Sequence, residues 1–154
     1  MTYIKKDDDI LYLIKDLNKQ LYLDFNKRSE ELGITGPQAR ILLYIHHHNE
    51  NGEKIRQVDI EKNFNLSKST VSGFIKRMEK NGIIKRISEK SSIYLVPDER
   101  GKTIVDTLAE NRNQVVDKLL KGLDEDERRI FIESIRKALK NFEETEEETH
   151  VEKH

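Results

Sequence analysis

The chain has 154 residues, of which 37% are charged and 35% hydrophobic, with only two prolines and a net charge of -1. This length suits one domain with a single core, and this composition is typical of a helix-rich soluble protein. The absence of cysteine excludes disulfides, thiolate zinc sites and thiol redox sensing. The sequence has no run of about 18 apolar residues, so no membrane span is predicted. The first ten residues, MTYIKKDDDI, lack the apolar core of a secretory signal, so a cytoplasmic location is expected.

The charge is divided along the sequence. Between Lys54 and Lys90, ten Lys/Arg stand against four Asp/Glu, a net charge of +6. From Asn141 to His154, six Glu stand against one Lys, a net charge of -5. A polyanion responds to the charge within a Debye length of about 8 to 10 Å, so the local basic segment matters more than the total.

The first half of the sequence predicts two helices. Apolar residues recur at three- and four-residue steps over residues 8 to 32, which predicts a long first helix. A second helix is expected to begin at Thr35 or Gly36, because Pro37 suits a first turn. The polar segment 48 to 54 is expected to be a loop.

A short helix from about Gln57 to Asn63 leads to a tight turn at Asn65 and Leu66. Ser67 is a good N-cap for the following helix, and Asn81-Gly82 is expected to end it in the left-handed conformation. The arrangement of helix, tight turn and helix is typical of a helix-turn-helix motif.

Two β-prone runs, residues 83 to 88 and 92 to 96, predict a hairpin whose second strand is broken by Pro97. A helix is expected from about residue 98 to 121, followed by a last helix capped by Asp124. The complete order is that of a winged helix-turn-helix.

The helix that starts at Ser67 has the composition needed in a DNA groove about 12 Å wide: small and polar residues at its start, then cations. The hairpin adds cations where a wing meets DNA. The candidate DNA-binding residues are Lys68, Ser69, Thr70, Ser72, Gly73, Lys76, Arg77, Arg86 and Lys90. Alternatively, the serines are only caps and the cations only a solvated face, but the neighbouring helix, turn, hairpin and local charge favour DNA binding.

The sequence resembles the MarR (multiple-antibiotic-resistance regulator) family of bacterial transcription factors. The resemblance lies in LGITGPQARILLYI (32 to 45), IRQVDIEKNFNLSKSTVSGFIKRMEKNGIIKR (55 to 86) and YLVPDERGK (94 to 102). It implies a mainly α fold in which a winged helix-turn-helix lobe is joined to a dimerisation platform. The chain is then expected to form a single domain, 1-154. Residues 37-97 form the DNA-binding lobe, residues 8-33 plus 98-143 form the dimerisation helices, and residues 144-154 form a disordered acidic tail.

The resemblance also implies a homodimeric repressor that binds a near-palindromic double-stranded DNA operator and is released by a small-molecule effector. Dimerisation has separate support, because the first and last helices carry more apolar positions than one small lobe can cover. Two features depart from the family pattern. The wing tip, SEKSSIY, lacks the usual Asp-x-Arg pair, and Gly73 stands where a long polar side chain is common.

Two further groups of residues suggest ligands. Tyr12, Tyr22, Arg40 and Tyr44 are candidates for an aromatic-acid pocket, although core or interface packing is the more common role of tyrosines. The consecutive His46, His47 and His48 suggest a metal, but consecutive helical residues point about 100° apart and cannot share one ion. The pair His150 and His154 lies in the acidic tail and indicates incidental binding at most. No metal site and no cofactor are predicted.

An enzyme is not expected, because the sequence has no phosphate-binding Gly-rich loop, nucleophile-elbow motif or His-Glu-x-x-His pair. The competing interpretation is a winged-helix adaptor that binds other proteins without reading DNA sequence. Such a module would lack a basic outer face, whereas Lys68, Lys76 and Arg77 provide one.

Overall fold

The computed structural model describes residues 8–152, with side chains described as far as residue 143. Within that range the fold is mainly α, with six helices and one two-stranded antiparallel hairpin, as predicted. The elements are α1 (Ile10–Glu31), α2 (Gly36–Glu50), α3 (Gln57–Phe64), α4 (Lys68–Lys80), β1 (Ile84–Glu89), β2 (Ser92–Pro97), α5 (Glu99–Leu119) and α6 (Glu125–Glu152). None of these helices is long and apolar enough to cross a membrane.

The chain divides into two compact units, residues 1–110 and 111–154. The first contains α1 to α4, the hairpin and the first half of α5. Its core is built from apolar side chains that recur at helical spacing on α2 and α4 and alternate on the hairpin. The fully buried members include Ile41, Leu42, Ile45, Ile60, Val71, Ile75, Met78, Ile83 and Ile84. Burial of each such side chain stabilises the fold by about 1.5 to 3 kcal/mol, so this core fixes α4 within the lobe.

Side-chain caps set the starts of the helices. Asp9 accepts a hydrogen bond from the Leu11 amide at 2.9 Å. At the start of α2, the Thr35 hydroxyl accepts from the Gln38 amide and the Gln38 side chain accepts from the Thr35 amide, both at 3.3 Å. This reciprocal capping box satisfies two amides that a helix leaves unpaired, and it explains why α2 begins at the predicted position.

The hairpin pairs Ile84 with Pro97 at one end and Glu89 with Ser92 at the other. Pro97 was expected to break the second strand, but it is the last residue of β2. A proline is tolerated there because it lies at the end of the strand, where a missing backbone donor costs little. Ile55 adds a single bridge to Leu95, whose amide donates to the Ile55 carbonyl at 2.7 Å.

Two boundaries differ from the sequence analysis. α2 continues to Glu50, so the predicted loop from residue 48 was wrong at its start. The helix ends where the Asn51 amide donates a hydrogen bond to the His48 carbonyl and Gly52 adopts a positive φ of 79°. The backbone of α6 is helical as far as Glu152. Disorder of the tail 144-154 stays a prediction, since its side chains and residues 153 and 154 lie outside the described part.

The second unit contains the end of α5 and α6. Gly122, at a φ of 91°, turns the chain between them. Asp124 then caps α6, as predicted: its carboxylate accepts from the Glu127 amide at 2.8 Å, and the Glu127 side chain accepts from the Asp124 amide at 3.2 Å. The hydrogen bond from the Glu127 amide to the carboxylate lowers the pKa of Asp124.

Two helical glycines are predicted to respond oppositely to an added methyl group. At Gly101, a Cβ would lie 2.0 Å from the Ile83 carbonyl oxygen, so Gly101→Ala must force α5 away from the hairpin. We expect it to lower the free energy of unfolding by about 3 kcal/mol or more. At Gly73 the nearest atoms would be at 3.5 Å, so Gly73→Ala should instead stabilise the lobe by about 0.5 to 1 kcal/mol.

Urea unfolding of the two variants measures both effects in the same protein. An equal loss of stability in Gly101→Ala and Gly73→Ala would contradict the close approach of α5 to the hairpin.

Candidate nucleic-acid interface

The helix-turn-helix is formed by α3, a turn and α4. Asn65 ends α3 in the left-handed conformation, at a φ of 51°, as the predicted tight turn requires. Ser67 is the N-cap of α4, and its hydroxyl accepts from the Thr70 amide at 3.2 Å. Because α4 packs against α3 and β1 through Val71, Ile75 and Met78, its opposite face is turned to solvent.

The predicted reading residues lie on this outer face. Lys68, Ser69 and Thr70 are exposed in the first turn, and Ser72 is half-buried beside Gly73. The hydroxyl of Ser67 also donates to Thr70 Oγ1 at 2.8 Å. The Ser69 hydroxyl lies 3.2 Å from the same Ser67 oxygen. The hydroxyls of Ser69 and Thr70 are therefore both engaged by the cap, and Lys68 is the freer side chain of this turn.

Lys76 and Arg77 are exposed one turn further along α4. Neither side chain forms an ion pair with any acid among the described side chains. The guanidinium of Arg77 lies 5.4 Å from the centre of the Phe74 ring. α4 therefore presents two cations whose charges are not neutralised by neighbouring residues.

The wing presents a different set of contacts. Arg86, predicted to bind DNA in place of the missing wing arginine, instead has its Nε 3.1 Å from Glu79 Oε2 and so links β1 to α4. Lys90 lies at the tip of the hairpin with a positive φ of 56°, and its side chain is exposed. Among the predicted wing residues, Lys90 is thus the cation best placed to meet a ligand.

A second ion pair of the wing was not anticipated. The Lys54 ammonium binds the Glu89 carboxylate and lies 5.0 Å from the centre of the Tyr94 ring. The hydrogen bond between the two groups raises the pKa of Lys54 and lowers that of Glu89. The sequence offered no signal for this pair, because 35 residues separate its members.

Arg100 is another residue that the sequence analysis missed. One guanidinium nitrogen donates to the Asn81 carbonyl at the end of α4, and the other donates to the Gly33 carbonyl after α1, each at 3.3 Å. A cation is favourable beside the carbonyl ends of two helices. Arg100 thus fastens the end of α4 to the end of α1.

The four candidate ligand residues do not form one cluster. The Arg40 guanidinium lies 3.9 Å from the centre of the Tyr22 ring, and it donates to Asn26 Oδ1 at 2.9 Å. Tyr44 contacts two other rings: the centre of its ring lies 4.3 Å from that of His48 and 5.5 Å from that of Phe64. Burial, with the charges of Asp59 and Glu53, raises the pKa of Tyr44. Tyr12 lies about 15 Å along α1 from Tyr22.

The histidine run is explained by local contacts. His48 Nδ1 lies 2.7 Å from Glu53 Oε2, and the His47 and His48 rings meet edge to face at 5.8 Å. Among the described residues, no three His, Cys, Asp or Glu side chains are placed to hold a metal ion. The side chain of His150 and the whole of His154 lie outside the described part.

Comparisons with known proteins agree with this geometry. A family model described as "MarR family" matches residues 32–91, which run from the end of α1 past the wing tip. An uncharacterised HTH-type transcriptional regulator, YdgJ of Bacillus subtilis (strain 168), is 22% identical over 144 residues, covering 92% of this chain and 84% of the relative.

Solved structures show the same fold. A crystal structure of MarR aligns at a TM-score of 0.74 and 21% identity, covering 96% of this chain and 99% of that one. MepR, a transcription regulator of the Staphylococcus aureus multidrug efflux pump MepA, aligns at a TM-score of 0.75 and 20% identity. The alignment covers 87% of this chain and 98% of MepR. The structure of a complex of S. aureus MepR with DNA aligns at a TM-score of 0.66 and 20% identity, covering 87% of this chain and 96% of that one.

The wing ion pair gives a pH prediction. Because the pKa of Glu89 is lowered, the stability that its carboxylate contributes is present above its ordinary value of 4.5 and is lost as the pH falls through the lowered value. Titration of the Glu89 carboxyl by NMR should give a midpoint below 4.5 in the wild type and a return towards 4.5 in Lys54→Met. A midpoint that is the same in both proteins would mean that the pair does not form in solution.

Proposed function

Because the chain belongs to the MarR family, we propose that it is a homodimeric transcriptional regulator, not an enzyme, that binds and represses a near-palindromic operator. The observation that carries the proposal is the outer face of α4. Its inner stripe is fully buried, which leaves small polar side chains and unpaired cations on the side away from the core. Such a helix fits the major groove of DNA.

Ion pairing leaves most cations of the basic segment, residues 54 to 90, without a partner acid among the described side chains. Of the four acids in the basic segment, Asp59, Glu79 and Glu89 pair with Arg56, Arg86 and Lys54. The remaining cations form no ion pair with the described acids; they are Lys62, Lys68, Lys76, Arg77, Lys80, Lys85 and Lys90. Unpaired cations attract phosphates, and the phosphates release their counterions when the cations bind them.

The proposed dimer is supported by exposed apolar side chains. On α1, Ile10, Leu11 and Ile14 are 67, 74 and 57% exposed, and on α6 Leu139 and Phe142 are 60 and 75% exposed. Several exposed apolar side chains close together on one helix mark an interaction site in a folded protein. We assign residues 8-33 and 98-143 to dimerisation and residues 37-97 to the DNA-binding lobe.

A small anionic aromatic effector is proposed to bind at Arg40 and Tyr22. The Arg40 guanidinium is fixed against the Tyr22 ring and bonded to Asn26, which orients its remaining N–H groups. A planar guanidinium with free donors suits a carboxylate. Tyr44 is directed to other neighbours and is left out of this site.

The double variant Lys76→Ala, Arg77→Ala tests the DNA-binding face. We expect weaker operator binding and a plot of log affinity against log salt that is flatter by about 0.9 for each phosphate that the variant no longer neutralises. Lys121→Ala removes an exposed cation outside the lobe and should leave both quantities unchanged. Fluorescence anisotropy over a salt series measures them; an unaltered slope in the double variant would refute the proposed face.

Selection of genomic DNA fragments by the purified protein tests sequence reading directly. We expect a palindrome whose half-sites lie about one helical turn apart, because a two-fold dimer presents two copies of α4. If no sequence were enriched over bulk DNA, the protein-binding adaptor would become the better account.

The dimer is tested by Ile14→Glu, which places a charge on the exposed apolar face of α1. Sedimentation equilibrium should show a dimer for the wild type and a shift towards monomer for the variant, with loss of operator affinity. Lys15→Glu changes the neighbouring exposed position and is the matched control. A variant that stays as dimeric as the wild type would exclude this face of α1 from the interface.

A further inference from the structure

The first turn of α5 carries an arginine whose guanidinium joins the ends of two other helices. One terminal nitrogen of Arg100 donates to the Asn81 carbonyl and the other donates to the Gly33 carbonyl, each at 3.3 Å. Asn81 is the C-cap of α4, and Gly33 follows Leu32, the C-cap of α1. No other donor among the described residues binds either carbonyl, and Arg100 forms no ion pair with a described acid. The guanidinium is therefore committed to these two backbone groups.

Each of the two carbonyls is fixed to the helix that it follows. The peptide unit of the Gly33 carbonyl donates its N–H to the Ser29 carbonyl of α1 at 3.1 Å. The peptide unit of the Asn81 carbonyl donates its N–H to the Glu79 carbonyl of α4, also at 3.1 Å. Within the described part of the chain, no hydrogen bond or ion pair joins α1 directly to α4. Arg100 therefore makes the polar link between the ends of these two helices.

Two glycines allow this close approach. Gly33 has a φ of 78°, and a Cβ there would lie 2.6 Å from a terminal nitrogen of Arg100. At Gly101, a Cβ would lie 2.0 Å from the Ile83 carbonyl oxygen, so the start of α5 lies against the segment that follows α4. The Asp98 amide also donates to this carbonyl, at 2.9 Å. The backbone of Arg100 is thus held beside the end of α4, and its side chain reaches from there to α1.

We propose that Arg100 is a positioning residue of the DNA-binding dimer: by holding α4 to α1, it fixes the separation of the two copies of α4 and restricts the protein to one spacing of operator half-sites. This role rests on the proposed dimer and its DNA-binding function. In that dimer, α1 belongs to the shared helices and α4 to the lobe. A change in the angle between α1 and α4 within each protomer therefore changes the distance between the two copies of α4.

Apolar packing between α1 and the lobe does not replace this link. Phe25 and Leu32 are partly buried against the core of the lobe. The hydrophobic effect that favours such contacts is non-directional, so the contacts tolerate small rotations. A hydrogen bond weakens steeply when its angle changes, and two of them from one planar group define an orientation. The competing account, in which apolar packing alone sets the spacing, is an outcome of the test below.

The test uses the full-length protein and the operator obtained by DNA selection, with one base pair added or removed between the half-sites. Each base pair moves a half-site by about 3.4 Å and turns it by about 35°. The altered spacings should weaken the wild type by about 10-fold or more. Arg100→Ala should bind all spacings within about 3-fold of each other, because lobes that are not held in advance adapt to each spacing. Fluorescence anisotropy measures the dissociation constants, and thermal melting checks that each variant is folded.

Matched variants separate the link from charge and from backbone strain. Lys102→Ala removes an exposed cation of the same helix that pairs with Glu99, and it should keep the spacing preference. Gly33→Ala displaces the guanidinium and should lose the preference. Gly52→Ala imposes the same strain, at a φ of 79°, with no described atom within 4 Å of the added Cβ, and should keep it. In the Arg100→Ala background, Gly33→Ala should have no further effect on the preference.

The distance between the two copies of α4 provides a readout that does not require DNA. The chain has no cysteine, so Lys68→Cys gives one spin-label site in each protomer, at the exposed start of α4. Double electron–electron resonance on the free dimer should show one narrow distance distribution when Arg100 is present and a broader one in Arg100→Ala. Equal widths in the two proteins would mean that Arg100 does not hold α4 in place.

The outcomes separate this inference from the function on which it rests. If the wild type prefers one spacing but Arg100→Ala keeps the same preference and the same label distances, apolar packing sets the spacing and only the inference fails. A loss of preference in Lys102→Ala or Gly52→Ala as large as in Arg100→Ala also overturns only the inference. If the wild type selects no DNA sequence at all, the proposed function fails and the inference fails with it.

Discussion

The burial of one stripe of α4 is the constraint on which the candidate interface depends. Val71, Ile75 and Met78 are 0 to 1% exposed, so rotation of α4 about its axis would bring an apolar side chain into water. At about 1.5 to 3 kcal/mol for each side chain, three such residues outweigh any surface ion pair of the lobe. The orientation of Lys68, Lys76 and Arg77 is therefore set by the core and not by the contacts of the cations themselves.

The far end of α4 is held by close backbone approach. Gly101 has no Cβ and so allows α5 to reach the Ile83 carbonyl just after α4 ends. Arg100, its neighbour in sequence, donates to Asn81 at the end of α4 and to Gly33 after α1. Both contacts join α4 to helices proposed to dimerise. In such a dimer, they would fix the two copies of α4 relative to each other and set the spacing of the half-sites.

The sequence was sufficient to predict what depends on local patterns. The order of elements, the cap at Ser67 and the tight turn at Asn65 follow from residue type and spacing, and the structure has them. The choice of ion-pair partners could not be predicted, because it joins distant segments through side-chain rotamers. Arg86 was thus grouped with the free cations although it pairs with Glu79, and Arg100 was overlooked. For the same reason, Tyr44 was grouped with Arg40 although the two face different neighbours.

The central claim is that the outer face of α4 lies in the major groove, and photo-crosslinking tests it with the wild-type protein. Operator DNA carrying 5-iodouracil in place of thymine projects its reactive iodine into the major groove. Irradiation followed by mass spectrometry of the joined peptides should locate the crosslinks within residues 68–77. Crosslinks found only in the wing or in α6, or none above the level for unrelated DNA, would contradict this account.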